Sequence, residues 1–427
     1  MLQFGFCLSS LRTFTLLIFS FCALSAQALN LASVKGFGVD TTAGSGGEVI
    51  KVTTLAADGP GSLRAALAHS GKRVVVFEVG GVINLAGANI DIVEPFLTLA
   101  GETAPAPGIT LIRGGLSVRT HDVRISHIAV RPGTNGKPAL SGWEPDGIGV
   151  SRAQARNVHI DHVSTSWAVD ENMSASGERY EGPGATSGRV TFSNSIIAEA
   201  LDYSTHKKGK HSKGILIHDY VQEIAVVGNL FAHNDRRNPY FKAHATGVVV
   251  NNLMYNLGNA AVQLGYIAHE WDGHKRKPGN PKVAVVGNKL IYGRDTYSDL
   301  ALVSYQGDVY LQSNQVLNLN GGDMAQVQGD INLLDKAPVW PQGLQPIQLN
   351  NVYEHVLNNA GSRPWERDLV DQRIIDSVRN KTGRIIDSQD AVGGYPDYKP
   401  TYRALDVPSQ SEDVAEWLLS FVPTEYR

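Results

Sequence analysis

The chain has 427 residues, with 38 lysines and arginines, 41 aspartates and glutamates, and a formal charge of −3 at pH 7. General nucleic-acid binders are usually strongly basic, so this composition excludes that class while it still permits a local basic cleft. Both cysteines, Cys7 and Cys22, lie in the first 28 residues, so the rest of the chain must rely on a large apolar core instead of disulfides.

Residues 1–28 are predicted to be an export signal. Arg12 supplies a positive n-region, residues 13–24 form an apolar run, and Ala26-Gln27-Ala28 offers a small-x-small cleavage site. The apolar run is too short to span a bilayer. We therefore expect a secreted protein, either extracellular or periplasmic, that has no membrane partner.

A short helix is predicted next, in "GPGSLRAALAHSGKRVVVFEVGGVINL" (59–85). Ser62 is a plausible N-cap of this helix, and Gly71 is a plausible residue for its end. Strands follow directly. Because a solenoid needs its open end covered, we expect this amphipathic piece to be an N-terminal cap.

The middle of the chain repeats a short β-branched run that is followed by asparagine or histidine. These polar residues are His127, His162, Asn194, Asn229, Asn252, Asn288 and Asn314. Repeats of this length predict a solenoid or a propeller, and their irregular spacing favours an all-β, right-handed parallel β-helix, in which only the strands must stack. We expect each polar residue to bond its equivalent in the next coil; separate hairpin turns are the alternative.

The character of the sequence changes near residue 335. "YEHVLNNAG", "RDLVDQRIIDSVRNKTG" and "EDVAEWLLSFV" have helical spacing, unlike the repeats before them. We predict a β-helix catalytic domain over 32–335 and a partly helical tail over 336–427 that packs on the β-helix. A second catalytic domain is not expected.

Charged residues are predicted to gather on one face of the coils. Counting eight residues beyond three repeat points gives Asp170, Asp202 and Arg237, with Asp146 and Glu171 nearby in the sequence. Carboxylates that converge from different coils suit Ca²⁺, and the lysine-rich stretch 205–214 suits an anionic polymer. Surface ion pairs without a function are the alternative. We expect a monomer whose ligand is an acidic polymer other than nucleic acid.

Several motifs resemble polysaccharide lyase family 1, the pectate lyases. They are "NVHIDHVSTSW" (157–167), "HSKG" (211–214) and "GNLFAHNDRRNPYF" (228–241). The stretches 36–67 and "LAGETAPAPGITL" (99–111) resemble the bacterial secreted branch of that family. The resemblance runs from about residue 36 to 320 and includes separated motifs in the family's order.

The resemblance implies a parallel β-helix that cleaves polygalacturonate by Ca²⁺-assisted β-elimination. The family's catalytic base, an arginine followed two residues later by proline, falls on Arg237. The second arginine of that motif falls on Lys242, and the substrate-neutralising lysine falls on Lys213. The calcium-binding aspartates fall on Asp146 and Asp170.

This sequence departs from the family pattern at two positions. A calcium-binding carboxylate of better-known members falls on Ser166, so Glu171 is the expected replacement ligand. Lys242 in place of arginine loses bidentate carboxylate recognition, which bears on substrate preference more than on the reaction. Arg236 and Lys210 are the further cations expected to bind substrate.

Three alternatives remain open at this point. A β-helix glycoside hydrolase would need paired catalytic carboxylates, but "NTD", "GHG" and "RIK" are missing from the sequence. A non-catalytic glycan-binding solenoid would not need Arg237 beside Pro239. A lyase for another uronate polymer or for methylated pectin is the third; methylated pectin would favour an aromatic cleft.

Overall fold

The computed structural model describes residues 1–2, 34–410 and 413–426. The predicted export signal therefore lies almost entirely outside the described residues. The chain divides into two units, Met1–Ala32 and Ser33–Arg427, and the architecture below is that of the second unit. Within the described part of the chain, no helix has the length and apolar character needed to cross a membrane.

The second unit is a right-handed parallel β-helix whose coils each contribute a strand to three faces. We name the faces in the order in which the chain visits them in each coil. In the first face the strands are β1 Glu48–Val52, β2 Arg73–Phe77, β5 Leu97–Ala100, β8 Val123–Ser126, β11 Arg156–Asp161, β14 Gly188–Ser193, β17 Gln222–Val227, β20 Thr246–Val250 and β23 Lys282–Val286.

The second face consists of β3 Val79–Asn84, β6 Ile109–Ile112, β9 Ile128–Arg131, β12 Ser164–Ser166, β15 Ile196–Ala198, β18 Leu230–Ala232, β21 Leu253–Tyr255, β24 Lys289–Ile291 and β26 Gln315–Leu317. The third face consists of β4 Ile90–Ile92, β7 Leu116–Val118, β10 Ile148–Ser151, β13 Glu171–Ser176, β16 Lys213–Ile217, β19 Tyr240–Phe241, β22 Val262–Leu264, β25 Val303–Gln312 and β27 Val327–Leu333. The long β25 also pairs with β23, which joins the first and third faces at that end.

The strands stack because β-branched and aromatic side chains repeat at each level of the coil. One apolar cluster fills the interior from Val52 to Val316 and includes Ile125, Ile160 and Phe192 at successive levels of the first face. These three side chains are fully buried and pair in register across β8, β11 and β14. A continuous apolar column of this kind supplies the large core that a chain without disulfides needs.

An asparagine ladder runs along the bend before the second face. The side-chain amide of Asn229 donates to Asn252 Oδ1 at 3.0 Å, Asn252 donates to Asn288 at 2.9 Å, and Asn288 donates to Asn314 at 3.1 Å. Each of these amides also donates to a backbone carbonyl of a preceding coil. The predicted ladder is thus correct for its last four members.

The earlier members of the predicted ladder occupy the neighbouring bend position. Ser164 pairs with Ile196 and Ile196 with Leu230, so the residue level with Asn229 is Ser195 and not Asn194. His127 and His162 share the neighbouring position, with their rings stacked 5.0 Å apart. The prediction of a single column through all seven residues was therefore wrong by one residue in its first half.

The N-terminal helix forms with the predicted N-cap, but it ends at Leu67 with Ala68 as its C-cap, four residues before the predicted end at Gly71. Helix α1 spans Leu63–Leu67, and the Ser62 hydroxyl accepts from the Ala65 amide at 3.2 Å. Leu63 and Leu67 are buried in the interior cluster, so the helix covers the first coils of the β-helix. The Gly71 turn follows, with a φ of +84° that suits glycine.

The described residues after β27 (334–410 and 413–426) contain three helices and one short strand: α2 Leu349–Asn359, α3 Leu369–Arg379, α4 Val414–Leu419 and β28 Thr401–Tyr402. Short 3-10 turns occupy Gly101–Thr103, Arg179–Glu181, Ala268–Trp271, Gln389–Val392 and Thr424–Tyr426. Helices α2 and α3 share an apolar cluster with side chains of the second face, such as Leu230 and Leu253. Strand β28 pairs antiparallel with β3.

Candidate active site

A cleft of about 540 Å³ lies on the third face. Its lining residues come from β16, β19, β22, β25 and β27, and from the turns that precede or follow these strands. They are Lys210, Lys213, Arg236, Arg237, Tyr240, Gln263, Leu264, Gly265, Tyr266, Ile267, Tyr305, Gln306 and Asp330. Four of the predicted site residues therefore share one cleft with a group of aromatic and neutral side chains.

Buried asparagines shape the turn that carries Arg237. Asn234 donates to the Ile197 carbonyl at 2.9 Å and to Asn238 Oδ1 at 3.1 Å, while Asn238 donates to the Ala260 carbonyl at 3.0 Å. Both amides are fully buried. They satisfy backbone carbonyls of the two neighbouring coils, which explains the asparagines of the "HNDRRNPYFKAH" stretch as structural residues.

The glycine of "HSKG" allows the coil of Arg237 to come close. A Cβ added to Gly214 would lie 2.7 Å from the Arg237 carbonyl oxygen, which is closer than side chains tolerate. The Ile215 amide donates to the same oxygen at 2.6 Å. Arg237 itself has a φ of +61°, an uncommon conformation for a residue with a side chain. The turn thus holds Arg237 in a fixed position beside Lys213.

Three carboxylates converge beside Lys213 and Arg237, at one end of this cleft but outside its lining. Asp146, Asp170 and Glu171 each offer an oxygen, and these oxygens all lie within 4.8 Å of one another. Asp146 accepts from the Ser174 hydroxyl at 2.7 Å and from the Glu171 amide at 3.1 Å. Burial, and after it the charge of Asp170, raises the pKa of Asp146 to about 6. The cluster is therefore electrostatically strained without a cation.

Glu171 links the carboxylate cluster to Arg237. Its carboxylate contacts the Arg237 guanidinium, and burial raises the pKa of Glu171 well above its usual range even though Arg237 opposes the shift. The Arg237 side chain is 22% exposed, and its guanidinium lies 5.6 Å from the centre of the Tyr240 ring. Arg237 consequently reaches both the carboxylates and the cleft.

Lys213 lies next to the carboxylates because β13 and β16 pair with Glu171 opposite Lys213. Its ammonium contacts His211 and lies 3.8 Å from Asp170. Burial, and after it the charge of Arg237, lowers the pKa of Lys213 to about 7. A buried ammonium beside an arginine is a site that favours an anionic ligand.

Two histidines that were not among the predicted site residues also belong to this site. His211 Nε2 lies 3.2 Å from Asp170, and the His206 ring stacks on the His211 ring at 3.4 Å. Burial would raise the pKa of Asp170, but the hydrogen bond with His211 and the charge of Lys213 hold it well below its usual range. The "HSKG" motif was the available signal, since His211 is two residues before Lys213.

The remaining predicted cations differ in their placement. Arg236 lines the cleft and pairs with Asp235 at 2.7 Å, and the exposed Lys210 lines it and lies 3.5 Å from Asp202. Asp202 is thus engaged with Lys210 and is not part of the carboxylate cluster, contrary to the count of equal offsets.

Lys242 is outside the cleft lining, which does not support its predicted contact with substrate. Its side chain is 6% exposed, and its ammonium lies 2.7 Å from Glu270 and 3.6 Å from Asp219. Arg179 contacts the same two carboxylates, at 2.5 and 3.2 Å. Lys242 differs from the prediction because a long segment after β22 brings Glu270 over it. No local sequence motif predicts this contact.

The carboxylate cluster fits Ca²⁺ by the chemistry of its donors. Calcium prefers several hard oxygen ligands in flexible geometry, and the cluster offers three carboxylates on one coil and its neighbour. Ser166 is not part of the cluster, and its buried hydroxyl has no hydrogen-bond partner among the described residues. The site as a whole places cations, carboxylates and an arginine of restricted geometry along one cleft, which is an arrangement that binds a polyanion.

Comparisons with known proteins agree with this geometry. No family model matches the chain. A probable pectate lyase C from Emericella nidulans is 31% identical over 391 residues, which cover 88% of this chain and 82% of that protein. A probable pectate lyase C from Aspergillus flavus is 32% identical over 376 residues, covering 85% and 80%. These relatives are fungal, so they do not support the expected bacterial branch.

Solved structures support the fold. The cedar pollen allergen jun a 1 superimposes with a TM-score of 0.57 at 17% identity, covering 77% of this chain and 92% of the allergen. A Bacillus subtilis pectate lyase variant gives a TM-score of 0.51 at 13% identity, covering 79% and 98%. The expected parallel β-helix is confirmed. Together with the sequence relatives, these findings show that the chain belongs to the pectate lyase family of polysaccharide lyases.

Proposed function

We propose that this pectate lyase cleaves polygalacturonate by Ca²⁺-assisted β-elimination, with Arg237 as the base that removes the C5 proton. The observation that carries the proposal is the convergence of Arg237, Lys213 and three carboxylates at one end of the cleft. β-Elimination needs a base at C5 and positive charge at the adjacent carboxylate, and this end of the cleft holds groups for both.

The chemistry balances without a covalent intermediate. Arg237 takes the C5 proton, the electron pair of the C5–H bond forms the C4–C5 double bond, and the C4–O bond breaks. The leaving oxygen then takes up a proton from solvent. An arginine can accept a proton only when its side chain is neutral. A neighbouring ammonium favours this neutral form, and a neighbouring carboxylate disfavours it. Lys213 provides the first influence and Glu171 the second.

Glu171 is therefore the residue whose position decides whether Arg237 is available. Asp146 and Asp170, with Glu171, are the residues that would hold Ca²⁺, and when bound the ion supplies positive charge at the uronate carboxylate. Movement of Glu171 toward the other two carboxylates would release the guanidinium into the cleft. Lys213, Arg236 and Lys210 would hold uronate carboxylates there, with His211 orienting Lys213.

The same proposal covers the organisation of the chain. Residues 1–28 serve as an export signal for a secreted, monomeric enzyme, which is where an enzyme that degrades a polysaccharide would meet its substrate. Residues 32–335 form the catalytic domain. Residues 336–427 form a tail that packs on the β-helix, and the apolar cluster shared by α2, α3 and the second face supports this assignment.

The first experiment measures the ultraviolet absorbance of the unsaturated uronate product. Mature protein is incubated with polygalacturonate, with added calcium or with a chelator, and Arg237→Lys is compared with Arg236→Lys on the same turn. We expect absorbance that grows with calcium, persists largely in Arg236→Lys and is lost in Arg237→Lys.

Other outcomes would each remove a specific part of the proposal. Growth of absorbance that ignores the chelator would eliminate the calcium role of Asp146, Asp170 and Glu171. Equal rates in the two arginine variants would eliminate Arg237 as the base. New reducing ends without absorbance would replace elimination by hydrolysis.

A further inference from the structure

The two ends of the cleft differ in charge. Lys213, Arg236 and Arg237 lie at the end formed by β16 and the turn before β19. The other end is formed by β22, β25 and β27, where the described lining residues are neutral or apolar except for Asp330. A polymer that carries one carboxylate per sugar unit would therefore meet cations at one end only.

Both ends belong to one continuous groove along the third face. The strands from β16 to β27 pair one after another through β19, β22 and β25. Four strand spacings of about 4.8 Å make this distance about 19 Å, which is enough for several sugar units. A chain whose reacting unit lies at Arg237 must therefore extend either over the neutral end or away from it.

Aromatic rings form the walls of the neutral end, and hydrogen bonds fix their orientation. The Tyr266 hydroxyl accepts from Gln306 Nε2 at 3.0 Å, and the Tyr305 hydroxyl donates to Asn259 Oδ1 at 3.1 Å. Tyr305 and Ile267 are 44% and 41% exposed, so apolar surface faces the cleft. Rigid aromatic faces bind the apolar faces of sugar rings at low entropic cost.

A network of ion pairs anchors the segment that carries Tyr266 and Ile267. Glu270, three residues after Ile267, pairs with both Lys242 and Arg179. Trp271 is 1% exposed and packs edge-on against Tyr180 at 5.4 Å. The wall is therefore held in place before any ligand arrives, and Lys242 acts on the cleft through this network.

Two polar atoms at the neutral end lack a hydrogen-bond partner within the part of the chain that the structure describes. Gln263 Oε1, which belongs to a lining residue, and the hydroxyl of Ser304 are buried without a hydrogen bond, and the two residues pair in register across β22 and β25. Gln263 Oε1 can accept from a sugar hydroxyl, and the Ser304 hydroxyl can donate to an ester carbonyl, but neither group gives charge compensation to a carboxylate.

Asp330 adds repulsion at the same place. It pairs in register with Gln306 across β25 and β27 and lines the cleft with an exposed side chain. A free uronate beside Asp330 would meet a like charge, whereas a methyl-esterified unit would not.

We propose that the end of the cleft formed by Gln263, Tyr266, Tyr305, Gln306 and Asp330 is a subsite for methyl-esterified galacturonate. The inference rests on the proposed function, since it takes the cationic end as the place where a free uronate reacts. The preferred substrate is then a galacturonan with mixed free and esterified units, and not the fully de-esterified polymer.

The test compares initial rates on polygalacturonate and on a galacturonan with about half of its carboxyl groups methylated, both with added calcium. We expect a severalfold lower KM on the half-methylated polymer. Asp330→Asn should lower the KM for polygalacturonate by about two- to fivefold. Tyr305→Ala should raise the KM for the half-methylated polymer by about tenfold.

Asp323→Asn is the matched control, because Asp323 is an exposed aspartate of the same region that does not line the cleft. It should change neither KM. Equal KM values on the two polymers, with no response to Asp330→Asn, would overturn the subsite and leave the proposed function intact.

Binding measurements separate the two proposals. Isothermal titration calorimetry of the Arg237→Ala variant with each polymer requires no turnover. Tighter binding of the half-methylated polymer would support the subsite even if no unsaturated product forms, in which case only the proposed reaction fails. Tighter binding of polygalacturonate would overturn the subsite whatever the catalytic result.

Discussion

Arg131 at the second face and Arg237 in the cleft each meet a cluster of carboxylates. Arg131 is fully buried and pairs with Asp368 at 2.7 Å and with Asp371 at 2.8 Å. Arg237 is partly exposed and contacts Glu171, which lies beside Asp146 and Asp170. The residue types are the same, but the surroundings of the two clusters differ.

The cluster at Arg131 has a second source of positive charge in helix α3. Asp368 is the N-cap of α3 and accepts from the amides of Val370 and Asp371, so the positive end of the helix compensates the second carboxylate. The Ser164 hydroxyl donates to Asp371 at 2.5 Å. The cluster in the cleft, by contrast, has three carboxylates beside Arg237 and Lys213 and opens to solvent. A closed network stabilises the fold, whereas an open network with surplus charge is available to a ligand.

The largest effect should come from the open cluster. Arg237→Lys should lower kcat by about 10²- to 10⁴-fold, because a general base is lost, while the midpoint of urea unfolding stays near that of the wild type. The measurement is product absorbance at saturating polygalacturonate together with an unfolding curve. A variant that unfolds at much lower urea would show that Arg237 resembles Arg131 after all.

The closed cluster should give the opposite result. Arg131→Met leaves two buried carboxylates without their cation, and we expect a loss of about 3–5 kcal/mol in the free energy of unfolding, with activity per folded molecule retained. Arg379→Met is the matched control at the other end of α3, because the Arg379–Glu354 pair is exposed and should contribute less than about 1 kcal/mol. Equal losses in the two variants would contradict the assignment.

His233 contacts helix α3, which also carries the carboxylates of the buried cluster at Arg131. We expect it to make the stability of the fold depend on pH. Burial lowers the pKa of His233 to about 4; Asn256 donates to its Nδ1, and its Nε2 bonds Ser377 of α3. The unfolded state, with a pKa of about 6.5, binds more protons below that pH.

Stability from this group is therefore complete above pH 6.5 and declines toward pH 4, by up to about 1.4 kcal/mol per pH unit. His233→Gln should remove that share, so the difference between variant and wild type should be smaller at pH 5 than at pH 7. A difference that is constant with pH would exclude His233 as a source of acid sensitivity.

We expect the smallest effect from Lys242, because it belongs neither to the buried cluster at Arg131 nor to the lining of the cleft. Its network with Glu270, Asp219 and Arg179 is buried but holds a segment of the cleft wall. Lys242→Met should raise KM for polygalacturonate by about two- to fivefold and change kcat little, as measured by product absorbance. A loss of kcat comparable to that of Arg237→Lys would instead place Lys242 at the reacting atoms.

The fold could be predicted from the sequence because its strands have a recognisable pattern. Short β-branched runs recur with a polar residue at each bend, and only a coil that tolerates loops of unequal length accommodates their spacing. The bend itself offers two adjacent positions, however. Ser195 and Asn229 share one of them, while His162 and Asn194 share the other. Composition does not distinguish these positions, and only strand pairing settles the register.

The candidate site was predictable to the extent that motifs place it. Arg237, Lys213 and the carboxylates follow from "RNP", "HSKG" and the neighbouring coils, and the structure brings them together. Tyr266 lies at the start of the long segment after β22, and Tyr305 lies in β25. Neither belongs to a recognisable motif, so their arrival in the cleft depends on tertiary packing. Lys242 matches the motif in sequence, but its ammonium pairs with Glu270 instead of facing the cleft. This pairing also depends on tertiary packing, because Glu270 belongs to the long segment after β22.

Strand β28 has a consequence for the order in which the molecule is completed. It pairs with β3, the first strand of the second face, and the residues after it pack Leu405 and Val414 against Val74 and Val76. During synthesis the edge strand β3 therefore emerges from the ribosome long before β28, the strand that covers it. Until the last thirty or so residues emerge, that edge is a template for pairing with other chains, so deletion of the carboxyl terminus should cause aggregation before it impairs turnover.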